Sequence, residues 1–96
     1  DTKVLEYLIA IVEEESLSGA ADRFLLAQPA LSRHLHNVET MVGMPLFSRD
    51  HNRLKPTGAG TIFVNNARNI LRIEVEMFKK LRGGKYDEYY GISGSK

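Results

Sequence analysis

This chain of 96 residues lacks several sequence features, and each absence excludes a class of protein. There is no cysteine, which excludes a disulfide framework and any zinc site built on thiolates. No apolar run approaches the roughly 18 residues that a membrane-spanning helix requires, and the N-terminus lacks the pattern of a signal peptide. We therefore expect a cytoplasmic protein that does not enter a membrane.

What the chain does contain is the composition of an ordinary globular protein. Hydrophobic residues make up 43% of it and charged residues 26%, which is not the composition of a disordered chain. Its length suffices for about one domain, but a domain this small buries a modest share of its surface, which favours a partner chain. Because the sequence begins with Asp1 and not with methionine, we expect a piece of a longer protein.

The net charge of +1 conceals an uneven distribution of charge along the chain. Residues 1–27 hold two basic and six acidic residues, a balance of −4, whereas residues 28–56 hold four basic and two acidic residues, a balance of +2. All three histidines lie in the second segment as well. Attraction to phosphate depends on such local placement more than on the total charge. A mixed, solvated surface explains the same distribution, so charge alone leaves both interpretations open.

The spacing of apolar residues predicts two helices at the start of the chain. Residues 3–15 form the first, because apolar side chains recur on one face at helical spacing. These are Val4, Leu5, Leu8, Ile9 and Val12. A second, short helix follows to about residue 25, capped by Ser16 or Ser18, since a serine oxygen accepts hydrogen bonds from the free amides of a first turn. Small side chains at residues 19–21 would let another helix cross it closely.

A third helix is predicted over residues 28–42. Pro29 suits its first turn, where the missing amide hydrogen costs nothing. Gly43 is typical of the position just after a helix. Four apolar residues of this segment share one face and should be buried. They are Leu31, Leu35, Val38 and Val42.

The remainder of the chain predicts a hairpin and then a long helix. Residues 44–56 contain short extended segments, with a turn at residues 50–52. Thr57 caps a helix over residues 57–82, roughly 39 Å long, which two glycines end. The polar, glycine-rich residues 83–96 are interpreted as a linker or a frayed end.

Two helices joined by a short turn, the second of which begins with polar residues, are typical of a helix-turn-helix. The third helix would bury its apolar stripe and offer its other face to the major groove of DNA. Arginine contacts guanine bidentately and glutamine does so with adenine, while serine donates to phosphate. The side chains on that other face, near the start of the helix, are Gln28, Ser32, Arg33 and His36. The alternative interpretation is that they form an ordinary solvated helix face.

The hairpin carries basic residues that suit a wing beside the DNA. Arg49, Arg53 and Lys55 lie on or next to its predicted strands, within reach of phosphates or of an adjacent minor groove. A charged surface hairpin with no ligand remains the alternative.

The long helix has an apolar band too broad for one small three-helix body to cover. Two heptad series run through it, and an exposed apolar surface of this size should meet a partner. A two-fold dimer fits best, although the helix could instead fold back over its own domain; we expect its first turns to pack locally and the rest to pair. The predicted dimerisation residues are Phe63, Ile70, Leu71, Met77, Phe78 and Leu81.

These residues also carry a resemblance that spans residues 5–71. The segments "AADRF", "QPALSRHLHNVE" and "VGMPLFSR", with the later Thr57 and Gly60, resemble the N-terminal region of the LysR-type transcriptional regulators of bacteria. The resemblance implies a winged helix-turn-helix, a linker helix that forms an antiparallel dimer, and binding to interrupted palindromic promoter sites. It also implies a further domain that binds a small-molecule effector, and the ending "YYGISGS" faintly resembles the first strand of that domain.

The resemblance assigns roles to particular positions of this sequence. Four residues match the DNA-reading start of the family's recognition helix, namely Gln28, Pro29, Ser32 and Arg33. Ser18 matches a phosphate-contacting position at the start of the second helix. Arg49 and Arg53 match basic wing positions.

At three positions the chain departs from the family's pattern. Ala27 stands where serine or threonine is usual, which puts one cap and one phosphate contact in doubt. Leu17 replaces the usual phenylalanine and Pro56 the usual leucine, and both are tolerable changes of packing.

The sequence thus predicts a mainly α fold: a three-helix body with a small β-hairpin wing, followed by a long linker helix. We expect a DNA-binding unit at 1–56, a dimerisation helix at 57–82 and a tail at 83–96 that leads to an effector-binding domain. The expected partners are double-stranded DNA and a second copy of the chain; a higher oligomer of the whole protein is compatible with this pairing. No cofactor or metal is expected.

Two other classes of function are alternatives to DNA binding. An enzyme is disfavoured, because His34 and His36 point in different directions on one helix and His51 lies in a turn, so that no nucleophile, base and orienting group are grouped in the sequence. A module that uses the same body to bind a partner protein is the stronger alternative. Steep weakening of binding by salt would favour DNA.

Overall fold

Four helices and a two-stranded hairpin follow one another in residues 2–85, the part of the chain that the computed structural model describes. The mainly α winged helix-turn-helix class predicted from the sequence is confirmed. None of the helices in this part has the length and hydropathy needed to cross a membrane. The elements are α1 (Thr2–Glu14), α2 (Leu17–Arg23), α3 (Gln28–Val42), β1 (Phe47–Asp50), β2 (Arg53–Pro56) and α4 (Gly58–Lys80), which continues as a π-helical turn, Leu81–Lys85.

The short helix α2 begins after Ser16, which is its cap. The hydroxyl oxygen of Ser16 accepts a hydrogen bond from the backbone amide of Gly19 at 3.0 Å, and so satisfies one free donor of the first turn. Ser18, the other candidate, lies exposed within that turn. The helix ends at Arg23, earlier than predicted, because the chain turns through a left-handed residue, Leu25 (φ 55°).

Helix α3 has the bounds that the sequence predicts, and Gly43 ends it with a φ of 81°. At this φ a side chain would be strained, which explains the glycine. Leu31, Leu35 and Val38 are buried as expected. The prediction that Val42 completes the buried stripe is wrong, since Val42 is 38% exposed. It is the last residue of the helix and lies at the edge of the core.

The hairpin is tighter than the sequence predicts. Asp50 pairs with Arg53 as part of the antiparallel ladder, so that His51 and Asn52 alone form the turn. Both have positive φ, 53° and 68°, as in a two-residue type I′ turn, whose twist matches that of the flanking strands. The turn therefore forms without the glycine that usually follows asparagine here.

Helix α4 does not end at the glycine pair. Its α-helical hydrogen bonding gives way at Leu81 to a π-helical turn that continues through Gly83 to Lys85. A glycine costs a helix only about 1 kcal/mol relative to alanine, so two of them weaken a helix without necessarily terminating it. Most of the predicted tail, including "YYGISGS", lies outside the described residues.

The first half of α4 completes the core of the helix-turn-helix body. Val64 and Ala67 are buried against the side chains of α1 and its neighbours, among which Leu8, Ile11 and Leu31 are fully buried. The body and the long helix thus share one core across the predicted boundary between residues 56 and 57. The division into units stays a prediction.

Leu46 is the point at which α3, the hairpin and α4 are joined. Its amide donates to the Glu39 carboxylate of α3 at 2.7 Å, and its carbonyl accepts from the amide of Thr57 at 3.0 Å. The Thr57 hydroxyl donates to the Pro45 carbonyl at 2.8 Å and accepts from the amide of Gly60 at 3.0 Å. These bonds fix the start of α4 against the end of α3.

Candidate nucleic-acid interface

The exposed face of α3 holds the side chains that the sequence analysis assigned to DNA. Each of these five lies exposed: Gln28, Pro29, Ser32, Arg33 and His36. Asn37 and Thr40 extend the same exposed face, and sequence reasoning missed both. Their spacing of four residues from Arg33 and His36 was the signal that could have found them. A continuous polar face, three turns long, results.

The N-terminal end of α3 has no side-chain cap. Ala27 occupies the cap position with extended backbone (φ −69°, ψ 140°) and accepts through its carbonyl from the amides of Ala30 and Leu31. The departure from the usual serine or threonine therefore removes a hydroxyl, as expected. The first-turn amides and the helix dipole still favour an anion at this end.

Two adjacent apolar residues in the turn between α2 and α3 have different surroundings. Phe24 packs edge-on against the ring of Tyr7, with 4.9 Å between the ring centroids. Leu25 next to it is 95% exposed.

At the start of α2, the Ser18 hydroxyl lies 3.0 Å from that of Ser16. The start of α2 and the start of α3 both present polar atoms to solvent.

The basic residues of the hairpin differ in what they contact. Arg49 on β1 is exposed. Arg53 and Lys55 on β2 each donate to one carboxylate oxygen of Glu15, at 2.5 and 2.6 Å. The hydrogen bonds from Lys55 and then from Arg53 lower the pKa of Glu15 below its ordinary value, so the carboxylate is ionised at neutral pH.

Sequence reasoning did not single out Glu15. This residue joins α1 to α2 in a left-handed conformation (φ 55°) that side chains rarely adopt. Its carbonyl also accepts from the amide of Leu54, at 2.9 Å. The contact pairs residues that lie 38 to 40 positions apart, and no local pattern signals it.

A second carboxylate joins three helices. Glu13 of α1 accepts from Arg23 of α2 at 2.7 Å and from Arg68 of α4 at 3.1 Å. Hydrogen bonds from Arg23 and then Arg68 lower the pKa of Glu13. The acidic balance of residues 1–27 is therefore partly neutralised by cations of β2 and α4, while the exposed face of α3 keeps its polar and basic side chains.

The structure divides the predicted dimerisation residues into two sets. Phe63 and Leu71 are half-buried and pack against the core of their own body. The other four are exposed to between 36% and 47%, a large share for apolar side chains: Ile70, Met77, Phe78 and Leu81. Ile73 and Val75 are also exposed, and sequence reasoning left them out of the set. Most of the exposed apolar residues of α4 thus lie on its second half, although Ile62 on the first half is 67% exposed.

The three histidines lie in different surroundings. His34 is half-buried beside the Tyr7 ring, at 5.1 Å between centroids, whereas His36 and His51 are exposed. Within residues 2–85, no three histidine or carboxylate side chains are grouped so that they could hold a metal ion.

Comparison with sequence families gives a consistent result. The model of the family described as "Bacterial regulatory helix-turn-helix protein, lysR family" matches residues 2–61. The HTH-type transcriptional regulator BenM of Acinetobacter baylyi is 40% identical over 67 residues, which are 70% of this chain and 22% of BenM. ClcR of Pseudomonas putida is 38% identical over 69 residues, 72% of this chain and 24% of ClcR. The chain spans about a quarter of the length of these relatives.

Solved structures match the fold over most of the chain. The DNA-binding domain of CbnR, in complex with DNA, has a TM-score of 0.80 at 30% identity and covers 86% of this chain and 95% of that one. The DNA-binding domain of BenM on benA site 1 DNA has a TM-score of 0.79 at 35% identity, covering 83% and 93%. CbnR, described as a LysR family transcriptional regulator, matches with a TM-score of 0.80 and 30% identity over 88% of this chain and 29% of its own.

Proposed function

Because the chain belongs to the lysR family of bacterial regulatory helix-turn-helix proteins, we propose that it binds double-stranded DNA sequence-specifically and acts in transcription regulation. The observation that carries the proposal is the exposed polar face of α3, a helix that buries Leu31, Leu35 and Val38 on its other side. A helix with this division of faces fits the major groove. DNA complexes of the CbnR and BenM domains, which share the fold, support the same function. We place it in the bacterial cytoplasm and assign it no enzymatic reaction.

In this proposal the two ends of the polar face have different tasks. Gln28, Ser32 and Arg33 lie in the first two turns of α3 and would contact base edges and the nearest phosphate. His36, with Asn37, would extend the contact along the groove. Pro29 sets the start of the helix and leaves the free amides of the first turn to an anion.

The contacts outside α3 would position the domain and not read the sequence. Ser18 at the start of α2 and Arg49 and Arg53 on the wing are exposed polar groups on separate elements. Contacts to phosphate from several elements fix the register of a protein on the duplex.

We further propose that two copies pair through the second half of α4. Ile70, Met77, Phe78 and Leu81 are exposed apolar residues on a helix that extends beyond its own core, and a second copy would cover them. Two copies related by a two-fold axis would bind an interrupted palindrome. In a whole regulator, a small-molecule effector and any higher oligomer would act through parts outside this chain.

One experiment tests the main proposal directly. Duplexes that bind the chain are selected from a random pool, and the affinity of the selected sequence is measured from 50 to 200 mM salt. We expect a half-site repeated with two-fold symmetry, and an affinity that falls by about 10³-fold or more over this range if about six phosphates are contacted. A chain that binds no duplex at low salt would overturn the proposal and favour the protein-interaction module.

The pairing has its own test in Phe78→Glu. Phe78 is 45% exposed on the second half of α4, and a carboxylate there would have to be desolvated on pairing. We expect the dimer dissociation constant to rise by at least about tenfold in sedimentation equilibrium, which corresponds to about 1.4 kcal/mol. Asn65→Glu, which places the same charge at an exposed polar position of the first half of α4, is the control and should leave the dimer intact. A monomeric unmutated chain would contradict the proposed pairing.

A further inference from the structure

The pair of wing cations on Glu15 has a consequence for DNA binding. Glu15 is held beside β2 by its backbone, because its carbonyl accepts from the amide of Leu54 at 2.9 Å and its φ of 55° is fixed at the junction of α1 and α2. Its two carboxylate oxygens each take one cation, Arg53 on Oε1 and Lys55 on Oε2. This is the geometry in which a phosphate would receive the same two side chains.

We propose that Glu15 competes with the DNA phosphate for Arg53 and Lys55, and so limits the sequence-independent attraction between the wing and DNA. The inference rests on the proposed DNA binding. In the free protein the carboxylate neutralises one of the two positive charges of β2. On the duplex, a phosphate must either displace the carboxylate or use the donors that it leaves free.

The exposure of the three side chains makes displacement feasible. The side chain of Arg53 is 67% exposed and that of Lys55 43%, whereas the side chain of Glu15 is 27% exposed. Ion pairs at this exposure contribute little net stability, because water and salt screen them. The cations therefore lie at the surface, where a phosphate can reach them, while the carboxylate lies beneath them, where it stays close to both.

A structural role for Glu15 makes the opposite prediction for binding. If the carboxylate served to hold the wing in a binding-competent position, its neutralisation would loosen the wing and weaken the complex. If it competes with phosphate, neutralisation frees two cations and strengthens the complex. The direction of the change thus separates the two roles, and the salt dependence shows whether phosphate contacts are the cause.

The test compares Glu15→Gln with Glu6→Gln. Each change removes one negative charge, from α1 at Glu6 and from the residue after α1 at Glu15, but Glu6 lies 3.6 Å from Lys3 and contacts neither wing cation. Binding to a selected duplex and to one of scrambled sequence is measured from 50 to 200 mM salt. For Glu15→Gln we expect a slope of log affinity against log salt that is steeper by about one unit on both duplexes. Between 50 and 200 mM salt, the affinity of this variant should therefore fall by about fourfold more than that of the unmutated chain. For Glu6→Gln we expect the slope of the unmutated chain.

A second comparison tests whether Arg53 is the group released. Arg53→Gln is made in the unmutated chain and in Glu15→Gln, and its loss of affinity at 50 mM salt is measured in both. We expect the loss to be at least about twofold larger when Glu15 has been neutralised, because the arginine then contributes its full charge to the phosphate contact. Thermal unfolding of each variant shows whether the wing remains folded.

The outcomes distinguish this inference from the proposal on which it rests. If the unmutated chain binds no duplex, DNA binding itself is wrong. If it binds, and Glu15→Gln has the slope of Glu6→Gln or binds more weakly than the unmutated chain, DNA binding stands and the competition by Glu15 is refuted.

Discussion

Replacing Gly60 by alanine should destabilise the fold by about 3 kcal/mol or more. A Cβ atom at this position would lie 1.9 Å from the carbonyl oxygen of Leu46 and 2.9 Å from its carbonyl carbon. Both atoms belong to the backbone, so no side-chain rotation relieves the clash, and α4 would have to move away from the segment that precedes the wing. Urea unfolding followed by circular dichroism measures the change.

Gly58→Ala is the matched control for this experiment. Gly58 is in the same turn of α4, but a Cβ added there meets no atom within 4 Å. Alanine is the better helix former, so Gly58→Ala should leave the stability unchanged or raise it by up to about 1 kcal/mol. Equal stabilities of the two variants would show that the contact between α4 and Leu46 is not tight.

The same contact matters for binding because it sets the wing against the long helix. Leu46 precedes β1 and bonds to α3 through Glu39 and to α4 through Thr57. If the start of α4 shifts at Gly60, the wing and α3 must adjust together. We therefore expect the affinity of Gly60→Ala for DNA to fall along with its stability.

Arg33→Ala should reduce discrimination between the selected site and other duplexes by about 1–3 kcal/mol, or between fivefold and more than 100-fold. Arg33 lies exposed in the second turn of α3, on the face that carries Gln28 and Ser32. An arginine at such a position donates bidentately to guanine, and alanine leaves the base edge unpaired. Competition binding with single-base variants of the site identifies the base that Arg33 contacts.

The control for Arg33 is an exposed arginine of another helix. Arg72 of α4 is exposed and donates to Asn69 at 3.0 Å, so Arg72→Ala removes the same charge without touching α3. It should leave the discrimination unchanged. If Arg33→Ala weakens binding equally on all sequences, Arg33 contacts phosphate and reads no base.

Local sequence patterns account for the elements of the fold and for the composition of the interface. Apolar spacing predicts α1 and α3, and Gly43 marks the end of α3, because a helix buries one face and ends most easily at a residue that tolerates positive φ. The polar residues at the start of α3 can be recognised in the same way, because they occupy the positions between the apolar residues of the stripe. These signals act over at most a few turns and are visible in a single segment.

Contacts between distant segments could not be predicted in this way. The sequence around Glu15 does not indicate that its carboxylate accepts hydrogen bonds from Arg53 and Lys55. The sequence around Val42 does not show that this residue lies at the edge of the core and is exposed. The broad apolar band of α4 is apparent from the sequence. Which of its residues pack against the core of their own body and which are exposed depends on how the other helices lie against α4.

The sequence by itself thus determined the division of α3 into a buried stripe and a polar face, which the proposed DNA contact requires. Only the tertiary structure decided which basic residues are held by a carboxylate, which apolar residues of α4 remain open to a second copy, and why residue 60 has to be glycine. Hydrophobic periodicity is a property of one segment, whereas charge pairing, burial and close backbone approach depend on segments that meet only in the folded chain.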